Sequence, residues 1–181
     1  MIAYVEQETD DKWSGGKFSF RNQPKQEKRN DWKYCMRGEK IYEMELDLTG
    51  VTDYGLSMEA ILAGREAIPL HGARFDLAVD GRFKGRLAGR AHGIDYVRVR
   101  ADGRMELDLH LIIETDDGHR IALSGDGQAA PRAGEPVLDI FANVRLSTAS
   151  KEYAWVNERQ IWGVGTASLA TRKVLAEGFM Q

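Results

Sequence analysis

The sequence predicts an all-β protein: an antiparallel β-barrel of meander hairpins behind an irregular N-terminal arm, with at most one short helix. Three observations predict it. Apolar residues recur with period two in run after run, the signature of strands with one buried face. Asp-Gly dipeptides punctuate those runs, as hairpin turns require. A helical period shows only once, between Gly50 and Gly64, through Met58, Ile61 and Leu62.

The strands follow in order. Ile41 to Leu48 alternates, with Tyr42, Met44, Leu46 and Leu48 on one side and Glu43, Glu45 and Asp47 on the other. Ala73 to Val79 places Phe75, Leu77 and Val79 on one face; Asp80-Gly81 is expected to turn the chain into a partner strand, Arg82 to Ala88. Asp95 to Arg100 is a strand closed by Asp102-Gly103. Arg104 to Thr115 is the clearest of all, with Met105, Leu107, Leu109, Leu111 and Ile113 opposed by Glu106, Asp108, His110 and Glu114. Asp117-Gly118 turns it into His119 to Ser124. Leu138 to Leu146 alternates again, Thr148 to Asn157 reads as a connection, and Ile161 to Thr166 and Thr171 to Ala176 supply the last strands. Gly163-Val164-Gly165 reads as strand-end packing. Eight to ten strands with almost no helix must form a sandwich or close on themselves to hide their edges.

Two regions differ in character. Residues 1–40 are polar, with scattered Trp13, Phe18, Phe20, Trp32 and Tyr34, and form the arm; residues 41–181 form the barrel. Lys12, Lys17, Arg21, Lys25, Lys28, Arg29, Lys33 and Arg37 make the arm rich in base, with Glu27 and Asp31 among them. It reads as a solvated arm, or alternatively as a basic docking tail.

Composition narrows the function classes. The 181 residues suffice for one domain with a core of its own. A formal net charge of -3 argues against a phosphate-neutralising surface, so nucleic acid is not an expected partner. Cys35 stands alone, so no intramolecular disulfide forms. No leader-like or membrane-spanning apolar run occurs. The expected location is cytoplasmic, with no membrane contact.

A resemblance sharpens the picture. Gly64-Arg65 with Ile68-Pro69-Leu70 and Gly72 carries its first part. His92-Gly93-Ile94-Asp95-Tyr96 carries the second, leading through Asp102-Gly103 to Glu106-Leu107-Asp108 and Glu114-Thr115-Asp116-Asp117-Gly118. Tyr153-Ala154-Trp155-Val156-Asn157 with Gly163-Val164-Gly165 carries the third. In order and spacing these resemble a bacterial and fungal family known as domain of unknown function 3237, or uncharacterised protein family 0311. The resemblance implies a β-barrel, often a homo-oligomer, with no settled general activity. The chain departs from the family pattern at His92, where Gly is frequent, at Tyr96, where Trp is, and at His110, where Arg is.

Candidate chemistry rests on strand parity. Asp95 shares its face with Val97 and Val99, and His71 shares the parity of Ala73, Phe75, Leu77 and Val79. A carboxylate on an apolar row is costly unless hydrogen-bonded, and burial raises its pKa toward the range a general acid or base needs. The competing reading places both residues at strand starts as loop caps. His92 joins them as a catalytic candidate because it departs from the family pattern. Asp108 and His110 lie two apart on one face and can form a carboxylate–imidazole pair, on a solvent-facing row or, alternatively, in a polar barrel interior. Arg65 is a candidate clamp for an anion or carbonyl, or the partner of a nearby acid. Tyr96, Trp155 and Asn157 are further candidates for ligand contact, the last two at a pocket mouth or else as core and turn residues. His71, His92, His110 and His119 lack metal-ligand spacing, so no metal is expected.

These residues favour a cofactor-independent acid–base enzyme: a lyase, isomerase, cyclase or hydratase acting on a small, partly apolar metabolite in a barrel pocket. The alternatives are a non-catalytic small-molecule-binding barrel and an oligomeric scaffold that uses its arm.

Overall fold

The structure is a computed structural model that describes residues 38–181. Residues 1–37 of the arm, including its aromatic residues, the bases from Lys12 to Arg37 and Cys35, lie outside the described residues, while Glu39 and Lys40 belong to the first strand. Eight strands close into one antiparallel barrel: β1 (Glu39–Asp53), β2 (Ala73–Lys84), β3 (Gly89–Val99), β4 (Met105–Thr115), β5 (Arg120–Pro131), β6 (Val137–Ser147), β7 (Ile161–Ser168) and β8 (Lys173–Met180). Each strand pairs with its sequence neighbour, and β8 returns to β1 from Glu39↔Met180 to Asp47↔Lys173. Closure leaves no free sheet edge. Among the described residues no helix is long and apolar enough to cross a membrane.

One helix, α1 (Met58–Leu62), caps one end of the barrel. Ser57 starts it by accepting the Ala60 N–H on its Oγ at 3.3 Å, which satisfies a donor the short helix cannot. A 3₁₀ turn, Ala154–Val156, plugs the opposite end with Val156, which is fully buried. Ile41, Leu87, Ile113, Ile121 and Ile161 surround it, each fully buried as well. Burying a side chain of this kind contributes roughly 1.5–3 kcal/mol, so this floor is a major stabilising element. A second cluster, Phe75, Val97, Val99, Met105, Ala129 and Leu138, packs beneath α1.

The alternation read from the sequence is the alternation seen. Tyr42, Met44 and Leu46 of β1 and Met105, Leu111 and Ile113 of β4 are buried inside, while Glu43, Glu45, Asp108 and His110 are exposed outside. The leucine row of β4 therefore faces the interior.

The expected turn at Asp80-Gly81 is corrected. β2 runs straight through it, pairing Asp80 with Asp47 and His92, and Gly81 with Leu46 and Ala91. Glycine is needed there for close approach: a Cβ on Gly81 would lie 2.0 Å from the Glu45 carbonyl oxygen. The chain turns later, at Gly85, where φ is +118°. Arg82 to Ala88 is thus the end of β2 and the following loop. The other two dipeptides do turn the chain, with Gly103 at φ +83° and Gly118 at φ +91°. In the second, the Gly118 N–H donates to Thr115 O at 2.9 Å, so only the glycine is left-handed. Gly163-Val164-Gly165 is likewise corrected, since it lies within β7 and its inward glycine leaves space in the barrel.

Candidate functional site

Small residues set among larger ones on β5 to β8 leave a cavity inside the barrel. Met44, Leu46, Leu107 and Leu109 line one side; Gly125, Ala142, Gly163 and Ala176 line the other. The cavity measures about 400 Å³, within the range of small-molecule sites. Its far end is sealed by the fully buried floor. The exposed lining residues Val51, Asp53, Glu59, Leu62, Leu169 and Arg172 all lie at the α1 end, which is therefore the mouth.

Asp95 places a carboxyl on the wall of this largely apolar chamber. Strand parity puts it inside with Val97 and Val99, as the sequence indicated. The wall itself holds it. Pairing of β3 with β4 is continuous from Gly89↔Thr115 to Asp95↔Leu109 and resumes only at Arg98↔Glu106. In that interval the Asp108 N–H donates to Asp95 Oδ1 at 3.1 Å. Burial pushes the Asp95 carboxyl up to about 6, with the Asp108 N–H acting in the opposite direction. Nearby charge adds smaller effects: the Asp108 carboxylate raises it and His110 lowers it.

Tyr42 also lines the cavity, toward the floor. Its ring packs on Phe83 at 4.7 Å between centroids and lies where a Cβ on Gly178 would stand, 2.2 Å away. Burial raises its hydroxyl above the usual range, so it is a neutral phenol at physiological pH. At the mouth, Arg172 has a left-handed backbone at φ +57°. Its N–H donates to Ser168 O at 2.9 Å, and its carbonyl accepts from Leu48 N–H at 2.9 Å. These bonds fix the β7–β8 turn that carries this cation on the rim. Neither Tyr42 nor Arg172 was singled out in the sequence. Tyr42 reads there as one more alternating apolar residue, and Arg172 carries no local motif.

The remaining candidates lie elsewhere. His71 is exposed in the turn before β2. Gly72, at φ +82°, breaks the parity that would have turned it inward, and His71 O accepts from Arg98 Nη2 at 3.2 Å. His92 and Tyr96 point outward from β3 with Ile94, and share a shallow outer depression with His110 and Ile112. Asp108 and His110 do form the expected pair, on the outer surface: His110 Nε2 donates to Asp108 Oδ1 at 2.8 Å. The edge of Tyr96 meets His110 at 5.7 Å, and Arg74 lies 5.0 Å over Tyr96. Arg65 is exposed and ion-paired with Glu59 at 3.0 Å, so its guanidinium is engaged near the mouth and not in the cavity.

Trp155 and Asn157 are at the plugged end, opposite the mouth. Arg86 stacks 3.9 Å over Trp155. Asn157 accepts from Thr148 N–H and donates to Thr148 O, both at 2.9 Å, which closes the β6–β7 connection. Among the described residues no group of three His, Cys, Asp or Glu side chains could hold a metal ion.

Comparison with known proteins agrees with the architecture. The profile of the family described as Protein of unknown function (DUF3237) matches residues 39–177. A β-barrel-like protein from Acinetobacter baumannii AYE superposes with a TM-score of 0.64 at 22% identity, over 80% of this chain and 94% of that one. A protein with unknown function from Clostridium acetobutylicum ATCC 824 gives 0.66 at 20% identity, over 81% and 99%. An enzyme from Penicillium herquei gives 0.57 at 20% identity, over 80% and 94%. Among proteins of curated function no match is found.

Proposed function

This chain belongs to the DUF3237 family, and on that premise we propose that its barrel is an acid–base enzyme for a small, largely apolar metabolite. The reaction is a proton transfer of the lyase, isomerase, cyclase or hydratase kind. One observation carries the reading: Asp95 stands inside an apolar cavity, held by a backbone N–H and brought by burial to about 6. A carboxyl with that midpoint exchanges its proton readily near neutral pH. That a structurally similar protein from Penicillium herquei is described as an enzyme is compatible with the reading.

The residues divide the work. Apolar walls bind the substrate body and exclude water, which strengthens every polar contact inside. Asp95 takes a proton from a substrate carbon or hydroxyl, or gives one to a double bond, and a later transfer restores it. The Tyr42 phenol is a neutral donor for a carbonyl or ether oxygen. Arg172 meets the polar end of the molecule at the mouth, where Arg65 is engaged by Glu59. Acid–base catalysis of this kind contributes about 10²–10⁴-fold, and confinement in the cavity supplies orientation.

The test is a thermal-shift screen of small aromatic, terpenoid and carbonyl compounds, with mass spectrometry on every stabilising compound. The wild-type protein is expected to bind and convert at least one compound, and Asp95→Asn to bind it without conversion. Stabilisation with no conversion by either protein would favour a non-catalytic binding barrel. Equal conversion by both would remove Asp95 from the mechanism.

A further inference from the structure

The wall between cavity and solvent is one strand thick at Asp95, and its two faces are chemically joined there. Inside, Asp95 Oδ1 accepts the Asp108 N–H at 3.1 Å. Outside, the side chain of that same Asp108 accepts from His110 Nε2 at 2.8 Å. Residue 108 is thus gripped from both sides in the interval where β3 and β4 are not paired. Leu107 and Asp108 have ladder partners on β5, Gly127 and Asp126, but none on β3.

We propose that the outer Asp108–His110 pair is a positioning device for the Asp95 carboxyl inside. The pair holds Asp108 on the side where β4 is not paired with β3, so that its N–H stays on Oδ1 and Oδ2 is the oxygen that meets a ligand. Asp108 and His110 are positioning residues in this account and touch no substrate. The inference rests on the reading of Asp95 as the acid–base group.

The surroundings favour a fixed His110. On β3 the Tyr96 ring abuts it, and Tyr96 is itself backed by Arg74, which donates to Asp76 at 2.9 Å. On β5 Asp126 stands opposite Asp108 and Ser124 opposite His110. Asp126 is engaged by Asn143, whose Nδ2 donates to it at 3.1 Å. His92 and Arg145 complete the outer depression around His110.

The experiment compares the full-length wild type with His110→Ala and His110→Gln by NMR. It follows the amide exchange of Asp108 and the carboxyl-carbon titration of Asp95, assigned by its loss in Asp95→Asn. Far-UV circular dichroism controls for the fold. In His110→Ala the Asp108 amide is expected to exchange about tenfold faster or more, and the Asp95 midpoint to move by about half a pH unit or more. His110→Gln, which can still donate to Asp108, is expected to retain the slow exchange. Unchanged exchange and an unchanged Asp95 titration in His110→Ala overturn the proposal, whatever Asp95 does in turnover. Conversion by Asp95→Asn, in contrast, bears on the proposed function alone.

Discussion

The Asp108 N–H donates to Asp95 Oδ1 at 3.1 Å through the wall of the barrel, in the interval where β3 and β4 are not paired. A backbone donor spared from the ladder thereby satisfies one oxygen of an inward carboxyl. The carboxyl lines a largely apolar chamber. Desolvation outweighs the single hydrogen bond, and the carboxyl stays in its neutral form to about pH 6.

The pH dependence of stability follows from that balance. The folded midpoint of Asp95, about 6, lies above the ordinary 3.8. Between those values the folded state binds more protons than the unfolded state, so stability falls as pH rises through the window. The resulting penalty above pH 6 is on the order of 2–3 kcal/mol. Asp95→Asn removes it and keeps an acceptor for Asp108 N–H. The variant is expected to melt about 4–8 °C above wild type near pH 8 and together with it below about pH 4. Thermal denaturation at a series of pH values checks this; superimposable melting curves near pH 8 would contradict it.

Cavity space comes from the small residues of β5 to β8. A Cβ on Gly125 would meet Val144 Cγ2 at 3.5 Å and Leu109 Cβ at 3.7 Å, both ordinary contacts. Gly125→Leu is expected to fold with a melting temperature within roughly 4 °C of wild type, as about 1 kcal/mol of strain would allow. Stabilisation by any cavity ligand found in the screen is expected to fall by about tenfold in affinity or more. Undiminished binding, read by calorimetry, would place the ligand elsewhere.

Asn157 has a structural part at the plugged end. Asn157→Ala removes two 2.9 Å hydrogen bonds to Thr148 and is expected to cost about 1–2 kcal/mol in urea unfolding. Ligand affinity is expected to stay the same. A selective loss of binding without loss of stability would return Asn157 to the site.

Gly81 and Gly103 are expected to differ for a steric reason. Gly103→Ala forces a left-handed alanine into open space, at a cost of about 1–2 kcal/mol. Gly81→Ala drives a methyl to 2.0 Å from Glu45 O and must part β1 from β2, at a cost of about 3 kcal/mol or more. Equal midpoints in urea would argue for a turn at Asp80-Gly81 after all.

Much of the barrel was legible because one face of each strand is buried, and burial writes alternation into the sequence. Met105 to Ile113 is the clearest case, although its alternation left open which face is inside, and the burial of Met105, Leu111 and Ile113 answers it. Asp95 was legible for the same reason, since Val97 and Val99 share its parity. His71 was not, because Gly72 reverses direction one residue before the strand begins. Asp80-Gly81 misleads because the same dipeptide serves a tight turn and a close strand approach, and local sequence does not separate the two. The cavity was hidden for another reason. It is made by what Gly125, Ala142, Gly163 and Ala176 lack, and small residues leave no periodic mark. The mouth is assembled from α1 and the β7–β8 turn, more than 100 residues apart, so only the closed barrel brings Glu59 and Arg172 to one rim.

The proposed role of Asp95 is to move a proton on a molecule held in the cavity. Its most direct test is hydrogen–deuterium exchange into a ligand: wild type and Asp95→Asn are incubated in D₂O with the carbonyl compounds that stabilise them, and ligand mass is followed with time. Deuterium is expected in the ligand, or in its product, with the wild type and none above the solvent control with Asp95→Asn. Incorporation at the same rate with both proteins, or with neither while both bind, would contradict it.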